Sequence, residues 1–350
     1  MPDCHHHASS AVTVGLLGPA DVQRWDAFVL RCPNATFFHR AGWQRVIERA
    51  FGHPTWFMYA EIDGRIEAVL PLAQIRSRLF GNGLHSLPFC VYGGIAAQRD
   101  DAAAALDHAA QTLAQRLQVD HLEYRHMQPQ HADWRTSPIY FSFRKPLHAT
   151  PELNLQEIPR KQRAMVRKGM AGGLRSVSDG DAERFFKAYA SSVHRLGTPV
   201  FSPAYFRILQ EVFGSHCEVL SVEHGGATIC SVLLFYFRDQ VLPYYGGGGE
   251  AARALAGNDF MYWEVMRRAC ERGCTLFDFG RSKLGTGSFD FKKNWGFTAQ
   301  ALHYETKLYR GSLPDKNPLN PRYQLFIKAW RRLPLAVANM IGPHIVRSLG

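Results

Sequence analysis

The distribution of apolar and polar residues along the chain repeats one order of predicted elements. Residues 56–75 and 217–237 each contain two strand-like runs joined by a tight turn, at Asp63-Gly64 and at Gly225-Gly226. Such dipeptides adopt the positive φ angles that a two-residue hairpin needs. A further apolar run with Leu-Pro, aromatic residues and glycines follows each hairpin, at 84–94 and at 241–249.

Each half of the chain continues with a helix and another strand. The residue pattern predicts helices over 100–117 and 258–273, with Asp100 and Asn258 as N-caps, and strands at 120–126 and 274–280. The order hairpin, strand, helix, strand therefore occurs twice and predicts two copies of one α/β unit. The proline-rich segment 144–159 favours a division into residues 1–150, residues 151–310 and a basic amphipathic tail, 311–350.

The net charge of the chain indicates what kind of partner it binds. The net charge of +11 and the pI of about 9.4 favour an anionic partner, which is a nucleic acid, a phosphorylated carrier or a lipid surface. No run of eighteen apolar residues and no signal-peptide pattern is present, and the seven cysteines are scattered, so a cytoplasmic protein with reduced thiols is predicted. The histidines at positions 5–7 are interpreted as a terminal run without further ligands, and no metal site is predicted.

The segment "FDFGRSKLGTGSFDFKKNWGF", residues 277–297, carries the candidate chemistry. Strand alternation places Asp278 on the opposite face from the phenylalanines on either side. A short helix is predicted over 289–295, with Ser288 as its N-cap and Gly296 at its end. Lys292 points away from the aromatic face of this helix, so it is either a functional cation or a solvated surface residue.

Several segments together resemble a known family: "PRKQRAMVRKGMAGGL", "RLGTPVFSPAYF", "YYGGGGEAARALAGNDFMYWEVMRRA" and "FDFGRSK…FDFKKNWGF". They resemble the FemAB family and the related BioF2-like acetyltransferase domain, and most of all the FemAB-like proteins of exosortase (PEP-CTERM) and exopolysaccharide gene clusters. The resemblance implies an α/β fold of two tandem GNAT-like (acyl-CoA N-acyltransferase) domains with splayed mixed sheets. Two departures stand out, because residues 246–259 lack the usual Gln/Arg-x-x-Gly-x-Gly/Ala spacing and the segment "QRVIER" directly after Trp43 contains no lysine.

The resemblance also implies roles for particular residues. Lys292 would stabilise an oxyanion, and Asp278 would orient or deprotonate an acceptor amine. Arg195 would bind phosphate, although pairing with a surface carboxylate is an equal alternative. The remaining substrate-binding candidates are Tyr244, Tyr245, Arg281 and Lys283, and the sequence leaves open which of the two adjacent tyrosines faces the cleft.

A basic stripe precedes the second unit. Residues 160–168, "RKQRAMVRK", place Arg160, Arg163 and Arg167 on one helical face and Lys161 and Lys168 on another. This stripe suits the phosphates of tRNA or of a nucleotide carrier, or it is a solvated helix start. The basic amphipathic segment 320–350 would lie on an anionic membrane surface or pack back onto the second unit.

Together these observations predict an N-acyl- or aminoacyltransferase that modifies an amine of a cell-envelope, peptidoglycan or exopolysaccharide precursor. It would act in the cytoplasm, peripheral to the inner face of the membrane. The predicted donor is aminoacyl-tRNA or acyl-CoA, with no tightly bound cofactor, and the predicted acceptor is an anionic small molecule or is linked to a carrier. No DNA partner is expected. The alternatives are an acyl-CoA-dependent N-acetyltransferase and a non-catalytic scaffold of the exopolysaccharide machinery.

Overall fold

The computed structural model describes residues 11–77, 80–312 and 321–349. The first half of the chain contains three helices, α1 (Val22–Arg31), α2 (Gly42–Phe51) and α3 (Asp100–Arg116). Its strands are β1 (Thr13–Leu16), β2 (Thr55–Ile62), β3 (Arg65–Ser77), β4 (Gly81–Ser86), β5 (Ala96–Ala97), β6 (His121–His126), β7 (Arg135–Ser137) and β8 (Tyr140–Pro146).

The second half repeats this order and adds a helical tail. Its helices are α4 (Pro151–Glu157), α5 (Arg160–Ala171), α6 (Ala182–Leu196), α7 (Pro203–Phe213), α8 (Glu250–Ala254), α9 (Gly257–Glu271), α10 (Gly287–Asn294), α11 (Pro321–Trp330) and α12 (Leu335–Val346). Its strands are β9 (Arg175–Val177), β10 (Cys217–His224), β11 (Ala227–Phe237), β12 (Gln240–Gly248), β13 (Leu276–Lys283), β14 (Ala299–Ala301) and β15 (His303–Leu308).

The two predicted hairpins are confirmed, and so are their turns. β2 pairs antiparallel with β3, and β10 pairs antiparallel with β11. Asp63-Gly64 and Gly225-Gly226 have positive φ angles, between 49° and 79°, as the dipeptides predicted. The predicted N-caps of the two long helices are wrong, because α3 begins after Arg99 and α9 after Ala256. Asp100 and Asn258 therefore lie in the first turns of these helices.

Each half of the chain forms one mixed sheet, but the sheets exchange strands. The first sheet has the order β1-β2-β3-β4-β6-β15-β7, with β5 beside β3, and the second has the order β14-β8-β13-β12-β11-β10-β9. β8 precedes residue 150 and yet lies in the second sheet, whereas β15 follows it and lies in the first. The sheets therefore do not follow the predicted division into 1–150 and 151–310, because long-range pairing determines which sheet these two strands join.

The halves share one aromatic core. α3 covers one face of the first sheet and α9 covers one face of the second, each with its own apolar cluster. A third cluster contains buried residues from both halves. In it the ring of Phe37 stacks on Phe235, with 4.4 Å between centroids, and Trp43 lies 5.2 Å from Phe213. Buried aromatic pairs of this kind hold the two sheets against each other.

The tail packs back onto the body of the protein. Trp330 is buried, and Ile327 lies directly against Gly197 at the end of α6. Arg331 donates a hydrogen bond to the carbonyl oxygen of Leu196, and Arg347 donates one to that of Phe51 in the first half. The described residues of this segment from 324 onward therefore contact both halves of the chain. Several apolar side chains of the tail nevertheless remain exposed.

Candidate functional site

A gap opens in the second sheet between two parallel strands. β12 and β13 are paired only at Gln240–Leu276 and Val241–Phe277. Beyond these residues β12 stays paired with β11 as far as Gly248, while β13 follows β8. The register of β13 against β8 shifts between Asp278 and Arg281, and Gly280 between them has a φ of 65°. A bulge of this kind redirects the strand and leaves backbone carbonyl groups outside the ladder.

Helix α10 places the ammonium group of Lys292 on this bulge. Thr286 caps the helix, because its side-chain oxygen accepts a hydrogen bond from the backbone N–H of Phe289, so the predicted cap Ser288 is wrong. Lys292 Nζ donates to the carbonyl oxygens of Phe279, Gly280 and Arg281, at 2.6, 3.1 and 3.1 Å. An ammonium group has three hydrogens, so all three are used. Lys292 is therefore anchored at the gap and does not extend into bulk water.

The surroundings of Lys292 favour its neutral form. Burial lowers the pKa of this amine to about 7 from an ordinary value of 10.5. The carboxylate of Asp278 opposes this shift, and the guanidinium of Arg281 adds to it. Near neutral pH the side chain therefore exists in both protonation states, which is an unusual property for a lysine and common at functional sites.

Asp278 lies beneath the same bulge with both carboxylate oxygens engaged. Its side chain is 1% exposed and faces away from the neighbouring phenylalanines, as predicted. Tyr92 donates its hydroxyl to the carboxylate at 2.9 and 3.1 Å, Gly280 donates its N–H at 2.7 Å, and Arg144 Nε lies 3.3 Å away. Burial raises the pKa of Asp278, and Arg144 is the strongest opposing influence.

Tyr92 and Arg144 were missed by sequence reasoning, as was Ser142. Tyr92 belongs to the segment 87–94 of the first half, which lies against β13 of the second half, and its hydroxyl also bonds that of Ser142. The signal that could have identified Tyr92 is the repeat itself. Residues 84–94 match 241–249, so the aromatic-glycine pairs in the two copies occupy comparable positions.

Arg281 and Lys283 extend the site along one face of β13. The guanidinium of Arg281 lies 4.7 Å from the ring centre of Tyr140 and 5.4 Å from that of Tyr304, and it donates to the hydroxyl of Tyr304 at 3.0 Å. Lys283 Nζ lies 5.6 Å from the ring centre of Tyr140. Arg281 and Lys283 therefore lie together at the ring of Tyr140, in an aromatic setting that favours cations.

Tyr244 and Tyr245 differ in their surroundings. Tyr245 is buried, and its hydroxyl lies 3.0 Å from that of Tyr205 in the shared core. Tyr244 is half-buried and donates to the carbonyl oxygen of Phe89 at 2.9 Å. Tyr244 is thus the tyrosine that contacts the segment 87–94, and Tyr245 is a core residue.

Part of the chain matches a known domain family. Residues 156–293 match the family model described as the acetyltransferase (GNAT) domain. The match covers most of the second unit but less than half of the chain. This domain includes β12, the gap and Lys292, so the predicted amide-forming acyltransferase is confirmed at the level of the domain family. No curated protein matches the chain in sequence.

Solved structures share the fold of most of the chain. The crystal structure of FemX is 15% identical, with a TM-score of 0.68 over 90% of this chain and 100% of that chain. A tandem GNAT protein from the clavulanic acid biosynthesis pathway is 12% identical, with a TM-score of 0.54 over 86% of this chain and 100% of that chain. The predicted fold class is thereby confirmed, and the likeness to FemX is a likeness of fold.

Arg195 reaches the end of the central strand of the GNAT domain. Its guanidinium donates to the carbonyl oxygen of Gly248, and its Nε is buried without a hydrogen-bond partner. A cavity of about 590 Å³ adjoins this strand end, between α6 and β11, and is lined by Arg184, Lys187 and Gly249 among others. Within the part of the chain that the structure describes, Arg195 pairs with a backbone carbonyl and with no surface carboxylate.

The predicted basic stripe lies on helix α5 of the GNAT domain. Arg160, Arg167 and Lys168 are exposed, and Arg163 is half-buried. Arg163 donates to the carbonyl oxygen of Gln156 at 2.6 Å, and Lys168 donates to that of Ala254 at 2.8 Å. Two of the five cations are thus bonded to backbone, and Arg160, Lys161 and Arg167 are exposed. A role for the stripe in phosphate binding stays a prediction.

Proposed function

We propose that the protein is an N-acyl- or aminoacyltransferase that modifies an amine of a cell-envelope or exopolysaccharide precursor. The observation that supports this most strongly is the position of Lys292 in the GNAT domain. Its ammonium group lies on the bulge of β13, where the strand leaves β12. A fixed cation beside such a gap is suited to negative charge that develops during the reaction.

Acyl transfer to an amine proceeds through a tetrahedral oxyanion. The amine nitrogen attacks the donor carbonyl carbon, a C–N bond forms, and the C–S or C–O bond to the donor's leaving group breaks. The amine loses one proton and the leaving group gains one. Lys292 would stabilise the oxyanion, a contribution of roughly 3–4 kcal/mol. Because three carbonyl oxygens occupy its hydrogens, the oxyanion would replace one of them.

Asp278 is proposed to orient the acceptor amine. Tyr92 and the N–H of Gly280 already bind its carboxylate. An acceptor therefore reaches Asp278 only when the segment 87–94 moves aside or when Tyr92 relays the interaction. Either route makes the first half of the chain part of the acceptor site.

The donor distinguishes two versions of this function. GNAT domains use acyl-CoA, whereas the FemAB-like version would use aminoacyl-tRNA. We expect that incubation with labelled acetyl-CoA, or in parallel with charged tRNA, transfers label to an amine acceptor. Lys292→Ala should abolish most of this transfer, and Lys293→Ala, which changes the exposed neighbour, should not. Absence of transfer from either donor to any amine would count against an enzyme.

Anionic partners are proposed for the exposed cations of the GNAT domain. Arg195 and the stripe of α5 would bind phosphate groups of tRNA or of a carrier-linked acceptor, and no DNA partner is proposed. Affinity for charged tRNA should fall steeply with salt, because each neutralised phosphate releases counterions. Arg160→Ala combined with Arg167→Ala should reduce the salt slope by about two. An unchanged salt slope would show that Arg160 and Arg167 do not bind phosphate and that α5 is only a solvated helix.

Peripheral membrane contact is proposed for α11 and α12. Leu325 and Met340 are 72% and 67% exposed, and Lys328, Arg331 and Arg332 are exposed on the same segment. Among the residues that the structure describes, no helix has the length and apolar character required to cross a bilayer. Vesicles containing anionic lipid should bind the protein, and Leu325→Glu with Met340→Glu should weaken this binding. Leu284→Glu, at an exposed leucine elsewhere, is the control.

A non-catalytic scaffold is the second candidate function. The hydrogens of Lys292 and the oxygens of Asp278 all form hydrogen bonds within the chain. This favours a scaffold, because no hydrogen-bonding group of these two side chains is left for a substrate. A scaffold should keep its binding partners in Lys292→Ala, whereas a transferase should lose turnover in the same variant.

A further inference from the structure

A second group of functional side chains lies outside the gap, on the first sheet. One ring nitrogen of His126, one of His131 and one carboxylate oxygen of Glu305 lie within 4.8 Å of one another. They come from β6, from the loop that follows it and from β15, so a strand from beyond the GNAT domain completes the group. His126 and Glu305 are 6% and 1% exposed.

His126 has an unused nitrogen in this buried position. Its Nε2 is buried and has no hydrogen-bond partner among the residues that the structure describes. The Nδ1–Cε1 edge of the ring lies so close to Gly94 that a Cβ there would come within 2.4 Å of these atoms. Because buried polar atoms nearly always have partners, an orphaned imidazole nitrogen beside a histidine and a carboxylate points to a missing ligand.

His131 is held as metal-binding histidines are held. Its Nδ1 lies 3.0 Å from Glu305 Oε2, and its Nε2 lies 3.4 Å from Asp107 Oδ1 on α3. A histidine that ligates a metal through one nitrogen commonly donates its other N–H to a carboxylate. Tyr124 donates to the same Asp107 oxygen at 3.1 Å, and Trp134 stacks on the His131 ring at 4.0 Å, so this arrangement is fixed by its neighbours.

We propose that His126, His131 and Glu305 bind one Zn²⁺ ion, with Asp107 accepting the second N–H of His131. Two imidazoles and one carboxylate form a common ligand set for this borderline-soft cation, and water would complete the coordination. Binding would displace the proton now shared between His131 and Glu305 into solvent. The ion would link β6 and the loop after it to the exchanged strand β15, and the contact of His131 with Asp107 would connect this site to α3.

The test measures metal content and stability in the full chain. Protein treated with a chelator, loaded with Zn²⁺ and dialysed should retain one equivalent in the wild type and in His108→Ala, a control at an exposed histidine of α3. His126→Ala and Glu305→Gln should retain about one equivalent less. Because positions 5–7 are also histidines, each measurement is repeated with these three changed to alanine.

Two further readouts keep the test decisive if a variant folds poorly. Co²⁺ in place of Zn²⁺ should give the absorption bands of a tetrahedral site in the wild type, and Zn²⁺ should raise its melting temperature by several degrees. If wild-type protein without the histidines at 5–7 retains no Zn²⁺, or if His126→Ala retains as much as the wild type, the proposal is overturned. The group would then be a buried ion pair only.

Discussion

The two copies of the α/β unit differ most in the pair of parallel strands at their centres. In the first copy β4 and β6 remain paired over four residues, from Gly83–His121 to Ser86–Tyr124. In the second copy β12 and β13 are paired over two residues and then separate. The charged groups near the closed pair are bonded to each other, whereas those near the open pair surround a bulge. From this difference we propose that the first copy mainly supports the structure and that the second carries the chemistry.

The buried cations of the two copies show the same contrast. In the first copy Arg125 bonds Glu123 at 2.8 Å and the carbonyl oxygen of Cys90 at 2.8 Å, so a guanidinium is neutralised by a carboxylate. In the second copy Lys292 bonds only backbone carbonyls among its direct partners in the described residues, and burial lowers its pKa. Breaking a buried ion pair is costly because one charge is left uncompensated, whereas a cation without a carboxylate in direct contact is available to an incoming anion.

The largest expected effect is on stability and concerns the first copy. Arg125→Ala would leave the buried carboxylate of Glu123 without its guanidinium, and we expect a loss of about 3–5 kcal/mol in the free energy of unfolding. Urea denaturation measures this loss. Arg99→Ala removes an exposed partner of Asp101 and should leave stability unchanged. A folded Arg125→Ala protein with a much lower turnover rate would contradict the division of roles.

The next effect is on turnover and concerns the second copy. Lys292→Ala should lower kcat by about 100- to 1000-fold, because a fixed charge beside the developing oxyanion is lost. Lys292→Met keeps most of the side-chain volume and should show the same loss, which separates charge from packing. Lys293→Ala is the matched control on the same helix. Equal kcat values for Lys292→Met and the wild type would show that the charge of Lys292 in the second copy does not contribute to catalysis.

A smaller effect tests the contact between the copies. Tyr92→Phe removes the hydroxyl that binds Asp278, and we expect the free energy of unfolding to fall by about 1–2 kcal/mol. Tyr309→Phe is the matched control, because the hydroxyl of Tyr309 has no hydrogen-bond partner. If both variants lose the same stability, the bond between Tyr92 and Asp278 does not hold the segment 87–94 on β13.

Sequence reasoning recovered what is encoded locally. The hairpin turns follow from dipeptides that accept positive φ angles, and the repeated order of elements follows from periodicity. The exchange of β8 and β15 between sheets was not predictable in this way, because strand pairing over long distances has no local signature. The same holds for the bond between Tyr92 and Asp278, which spans 186 positions. Likewise, the partners of Lys292 depend on a bulge that exists only once β13 has paired with β8.

The smallest effect is the pH dependence of turnover. If the charged form of Lys292 acts on the oxyanion, kcat should fall by up to tenfold for each pH unit above its pKa of about 7. This decrease, the alkaline limb of the pH-rate profile, is measured as kcat at a saturating concentration of donor. Lys292→Arg remains charged throughout the range, so its residual rate should lack the limb near pH 7. A wild-type rate that instead rises through pH 7 would make the neutral amine the active form, acting as a base.

The same lysine should also make stability depend on pH, with a defined sign. The unfolded chain holds this proton up to its ordinary pKa of 10.5, whereas the folded chain releases it near 7. Between these values the unfolded state binds more protons, so the free energy of unfolding should rise with pH there. Lys292→Met should flatten this rise, and Lys293→Met should not. If the slopes of Lys292→Met and the wild type coincide, Lys292 is not desolvated at the bulge, and the contrast with Arg125 loses its electrostatic basis.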